Sequence, residues 1–327
     1  MSFDWSKTDL RLGLWFALVS FTVMNLAHFQ DASWMTAGLS ALLAWLPLLL
    51  TDHRHLRSGV AALLIYLVAG GLLSLVGHLV LPHEIGRILA VGLVAFAAAA
   101  LMRFGTFWYL TGFVLIFWYV ISPLFSASLG LGNTLEGHFV GVLGISAYWI
   151  IRQVRFRGRT WNAPPFSPDP VPDRIALPYA GVLSATVMTG IAVGGRLLTA
   201  DPTLMAQASL NIISPSAEQT WQAGLGRMIF GMGGVIVGFY IGWVFPGLAA
   251  QELVIALCSF FALAFYKVNM ALLVGAFAVM FSYPMGARGD AVGHALGNER
   301  LLAEILGILL AGFAISALSR LTQSAKQ

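Results

Sequence analysis

Few side chains in this sequence could do chemistry within so apolar a chain, and most of them come in pairs. Arg57 and Arg227 stand 170 positions apart, as do Asp31 and Asp201, while His138 and Glu304 are separated by 166. A guanidinium can bind a carboxylate through two parallel hydrogen bonds, so Arg57 and Arg227 could collect anions. A carboxyl or imidazole inside a membrane segment is costly unless it is paired or lines an aqueous space, which makes Glu304 and His138 candidates for carrying a proton. Short polar groups gather on two segments: Thr36 and Ser40 on one, Gln207, Asn211 and Ser214 on the other. Such groups could pass a polar solute along a path.

Each reading has a plainer alternative. Asp31 and Asp201 stand where helices should begin and can cap the exposed amides there. Arg57 and Arg227 could instead anchor helix mouths, their long stems snorkelling to head groups. Glu304 would lie in the interface if its helix began later than residue 301. His28 and His78, near helix ends, read as interfacial hydrogen-bonding residues. No catalytic signature is present: the sequence holds no HExxH, GxxxxGK or GxSxG, and Lys7, Lys267 and Lys326 are scattered. Asp52-His53-Arg54-His55 reads as a solvated turn and not a metal site. The lone Cys258 excludes an internal disulfide, a CxxC pair and a cysteine zinc cluster. No metal and no cofactor is expected, and a membrane-embedded enzyme is disfavoured because no cluster of nucleophile, base or ligands can be assembled.

The elements that must position these residues follow from composition. Of 327 residues 58% are hydrophobic and only 10% are charged, against about 25% charged in ordinary globular chains. A soluble enzyme of this size is thereby excluded. Apolar stretches of membrane-spanning length must be helical, because only a helix satisfies its own backbone in hydrocarbon. Twelve are read: 12–29, 33–50, 58–81, 87–102, 106–125, 137–151, 176–195, 202–216, 228–245, 252–266, 269–284 and 301–319. Counting loops alternately puts fourteen of the 18 Lys and Arg on one side, leaving only Arg87, Arg196, Arg288 and Arg300 on the other. That bias predicts cytoplasmic termini. The basic balance is topological, so nucleic acid is not an expected partner, and the Arg152–Arg159 cluster faces anionic head groups.

The first stretch follows a mixed-charge start and reads as a retained anchor. The five prolines of 162–174 end the first six helices. The expected organisation is a first six-helix repeat over 1–160, a cytoplasmic linker over 161–174 and a second repeat over 175–327. Six helices return the chain to its starting side, so the repeats should be parallel, related by an axis along the membrane normal. Arg103 then faces Lys267, and Pro82 faces Pro246. The fold class is all-α and polytopic. The second and eighth stretches, polar and Pro-interrupted at Pro47 and Pro215, are the expected pathway-lining elements.

Three features of the second half carry a family resemblance: Pro215 ending a polar helix, Arg227 twelve residues later opening a Gly-rich helix, and a last helix written Asn298-Glu-Arg300-Leu-Leu-Ala-Glu304-Ile-Leu-Gly307. In these the chain resembles the fusaric acid resistance, or aromatic acid exporter, superfamily, strongly over 211–319 and faintly over 33–154. It departs from the family in lacking a Gly-Thr pair after the arginine and the large cytoplasmic domain many members insert between halves. The resemblance implies efflux of aromatic or other weak organic acids across a bacterial inner membrane, commonly beside a periplasmic adaptor of the HlyD type. Proton coupling is the expected energy source, since no nucleotide site exists in the chain. Homo-oligomerisation is left open. Two other readings remain: an amino-acid or small-solute exporter of the threonine/serine type, and a non-transporting membrane scaffold.

Overall fold

The computed structural model describes residues 4–29, 33–51, 55–158, 171–199, 201–210, 213, 224–289 and 291–324. Among them there is no strand. The helices are α1 (Leu10–Phe29), α2 (Trp34–Leu50), α3 (Leu56–Val80), α4 (Glu84–Ala100), α5 (Thr106–Leu129), α6 (Leu131–Ile151), α7 (Asp173–Leu197) and α8 (Thr203–Leu210). They continue as α9 (Gly224–Val244), α10 (Leu248–Phe265), α11 (Met270–Ala287) and α12 (Ala291–Ser324). Each expected stretch coincides with one of them, although 202–216 is matched only by the short α8, with much of its remainder outside the described residues. Among the described residues, eight helices are long and apolar enough to cross a membrane; Trp34–Leu50, Ala249–Phe265 and Ala271–Ala287 are shorter apolar helices. The exposed face of α3, with Leu64, Val68, Leu72 and Leu79, is apolar, as contact with lipid requires. The chain is a multi-pass, all-helical membrane protein.

Two compact units divide the chain, and they are not its contiguous halves. One comprises Thr22–Met188 with Leu321–Gln327; the other comprises Met1–Phe21 with Thr189–Arg320. Helices α1, α7 and α12 each contribute to both.

In the unit built on Thr22–Met188, α2 is enclosed: every residue from Thr36 to Leu49 is buried. Its start is capped by Ser33, whose Oγ accepts a hydrogen bond from the Thr36 amide at 3.3 Å. Asp31, the expected cap, lies outside the described residues. Helix α6 approaches α2 so closely that a side chain at Gly141 would collide with the Ala37 carbonyl. Small residues at such a seam let two backbones meet without a hydrophobic driving force, which lipid would not supply. The α5–α6 break falls at Gly130, whose φ of 86° suits a residue without Cβ.

In the unit built on Thr189–Arg320, a stripe of glycines forms the seam between α9 and α11. Gly234, Gly238 and Gly242 of α9 lie against Gly275, Val279 and Tyr283 of α11, and Gly286 lies under the Phe239 carbonyl. Helix α12 packs on α8 at Gly307, where Ala208 and Ser209 close the contact. The segment leading into α1 docks on α10: the Asp9 amide donates to the Ala264 carbonyl at 2.8 Å, and Trp5 meets Phe265 edge-on at 6.1 Å.

Candidate functional site

Three helices of the Thr189–Arg320 unit bring charges together where water is excluded. Helix α9 supplies Arg227, which begins a π-helical turn over Arg227–Gly231. Such wide turns re-aim one side chain within a helix and recur at functional positions. Helix α12 supplies Arg300 and Glu304, whose four-residue spacing sets them one turn apart on one face. Asp201 stands at the start of α8.

Arg227 and Glu304 form a bidentate pair. Nε of Arg227 donates to Oε2 of Glu304 at 2.5 Å, and Nη2 donates to Oε1 at 2.6 Å. Only 7% and 3% of the two side chains are exposed. Burying two charges is expensive, and the cost is offset because one edge of the guanidinium matches both carboxylate oxygens. Asp201 is buried and ties down its own helix: Oδ1 accepts from the Thr203 amide at 2.9 Å, and both carboxylate oxygens accept from the Thr203 hydroxyl at 2.8 Å. The Thr203 amide, at the start of the helix, would otherwise lack an intrahelical partner.

Arg300 differs from its neighbours. It is 6% exposed, and its Nε is buried without a hydrogen-bond partner. Among the described residues no ion pair or hydrogen bond reaches its guanidinium. It lies over the Phe281 ring at 5.7 Å, attracted by Glu304 and Asp201 and repelled by Arg227. An unsatisfied buried donor costs about 1–3 kcal/mol, more when charged, so the cluster is held at some expense to stability. Orphaned polar groups of this kind are uncommon in folded chains.

An apolar cavity of about 560 Å³ lies in the same unit, lined by Phe230, Gly234, Val237, Cys258, Phe261 and Leu272 among others. Phe230, its first α9 residue, stands one turn beyond Arg227. The volume falls within the roughly 300–1,000 Å³ range of small-molecule sites.

The remaining expected residues are distributed otherwise. Gln207 is buried on α8, whereas Asn211 and Ser214 lie outside the described residues. Arg57 is exposed at the start of α3. Thr36, Ser40 and His138 belong to the other unit and are fully buried there. The Thr36 hydroxyl pairs with that of Ser33 at 2.7 Å. His138 Nδ1 meets the Ser40 hydroxyl at 3.1 Å and Nε2 meets the Leu67 carbonyl at 3.2 Å, so Nε2 carries the proton and Nδ1 accepts. The imidazole also stacks on Trp118 at 4.9 Å and fits against Gly70. These polar groups satisfy one another within packed protein, whereas the sequence reading had α2 polar because it met water. His78, read as a hydrogen-bonding residue, contacts the Ser126 hydroxyl at 3.2 Å.

Two placements differ from expectation. Helix α12 begins at Ala291, ten residues before the expected 301, so Glu304 follows more than three turns of helix. The later helix start on which the interfacial reading of Glu304 depends is therefore not found. Arg300, counted among loop charges, is a buried helical residue for the same reason. The signal that could have found it was its i, i+4 relation to Glu304 within one apolar run.

No curated protein and no solved structure matches the chain. Residues 180–314, which hold Asp201, Arg227, Arg300 and Glu304, match the family described as fusaric acid resistance protein-like, whose members are membrane transporters of the efflux type. That match spans the segment containing the whole charge cluster.

Proposed function

We propose that the protein is a bacterial inner-membrane exporter of aromatic or other weak organic acids, coupled to protons through Glu304. The observation that carries this reading is the buried bidentate pair of Arg227 with Glu304. A carboxylate entering the cluster adds a second negative charge beside Glu304. Taking up a proton on Glu304 relieves that repulsion. Anion binding and protonation of Glu304 are then linked, each favouring the other to the same degree. Asp201 and Arg300 share the cluster and set the field in which that exchange occurs. The apolar cavity supports a substrate with a hydrophobic body. Gln207, buried on α8, remains a pathway candidate, and Asn211 and Ser214 continue the same reading. Arg57 would act only as an exposed collector. A HlyD-type adaptor is the partner to seek across the periplasm.

The test compares wild type with Glu304→Gln. In inverted vesicles the variant should lose most proton-driven benzoate accumulation, and benzoate binding to the purified variant should no longer draw protons from a weakly buffered solution. Undiminished proton-driven accumulation would remove Glu304 from the mechanism. Competition by amino acids in place of benzoate would favour the threonine/serine-type alternative.

A further inference from the structure

Within the transport reading above, on which this inference rests, the geometry points to Arg300 as the residue that receives the substrate's carboxylate. Arg227 already holds both oxygens of Glu304. Arg300 is as buried as Arg227, yet no carboxylate oxygen is bonded to it, and its Nε lies without a partner. A guanidinium is the side chain that matches a planar carboxylate through two parallel N–H donors. The Phe281 ring beneath it at 5.7 Å steadies the plane through its π face, so the fork is preorganised before any ligand arrives.

The chemistry selects a monovalent carboxylate. The four ionised groups Asp201, Arg227, Arg300 and Glu304 balance as they stand, and one added negative charge is offset once Glu304 is protonated. A dianion would exceed that compensation. A planar apolar body suits the Phe281 ring beside Arg300. The ligand class is therefore an aromatic or similarly hydrophobic monocarboxylate.

Benzoate and its neutral isostere benzamide are the probes, with binding to the purified full-length protein measured by calorimetry and by ligand-dependent thermal shift. Wild type should bind benzoate roughly tenfold or more tightly than benzamide, and Arg300→Gln should abolish that preference. Arg300→Lys keeps the charge and hence the fold, but replaces the fork by a single point, and should bind benzoate several-fold more weakly. Without ligand, Arg300→Gln should melt no lower than wild type, because the side chain it replaces lacks a partner. Benzoate affinity unchanged in either variant overturns the assignment. So does displacement of benzoate by phosphatidylglycerol added to the micelle, which would give the site to a lipid head group. Export of benzoate that survives Arg300→Gln intact sinks Arg300 alone, whereas wild-type vesicles that move no benzoate sink the transport reading.

Discussion

Arg227 and Glu304 each remove the cost of the other's burial, so their contributions cannot be separated by deleting one. Replacing either alone by an apolar residue, Arg227→Met or Glu304→Leu, leaves an uncompensated buried charge and should cost about 3–5 kcal/mol. The double variant removes both charges and should recover most of that loss. Thermal denaturation of the four proteins in one detergent measures the cycle, and additive losses would show that the two side chains do not act as a pair. His138 illustrates the opposite limit at this scale. Both ring nitrogens are engaged and the ring is stacked, so its environment is that of a packing residue with a fixed tautomer. The sequence could flag Glu304 as costly in an apolar run, but it could not distinguish a paired carboxylate from one facing water. That distinction depends on whether Arg227, 77 residues away, reaches it.

Helix seams explain why the glycines sit where they do. The α9–α11 contact is formed by small residues on both helices, and it leaves Gly286 directly beneath the Phe239 carbonyl. Gly286→Ala should therefore force the helices apart and cost about 1–3 kcal/mol. Gly312 on α12 has open space where a Cβ would project, and Gly312→Ala should be neutral or slightly stabilising through helix propensity. Equal melting temperatures for the two variants would contradict the close seam. The spacing of these glycines and its packing meaning were legible from the chain. The polarity of α2 was legible too, yet its cause was not: Ser33, Thr36, Ser40 and His138 bond within the unit. A hydroxyl that meets water and one that meets a histidine look alike in a one-dimensional pattern. Helix ends were displaced for a related reason, since α12 continues through Asn298-Glu299-Arg300, of which Arg300 is buried and Glu299 is bonded by tertiary contact. Glu299, for instance, accepts from the Thr199 amide at 2.9 Å.

Orientation belongs to the molecule as a whole, and the distribution of Lys and Arg predicts that both termini face the cytoplasm. A fluorescent protein fused to the C-terminus should fluoresce and an alkaline phosphatase fused there should be inactive; the reverse pattern would invert the topology. Composition alone required a helical membrane protein, because hydrocarbon leaves a backbone no other local way to satisfy its hydrogen bonds. The apolar runs likewise determined where helices form, and the arginine-led, glycine-rich segments of the second half pointed to the family that residues 180–314 match. Folding in three dimensions alone decided the rest. It grouped Met1–Phe21 with Thr189–Arg320, joined Arg227 to Glu304, and left Arg300 buried without a carboxylate. Hydropathy is a sum over neighbours along the chain, whereas an ion pair is a coincidence of two side chains across a packed interior, and no local pattern encodes which charge will find a partner.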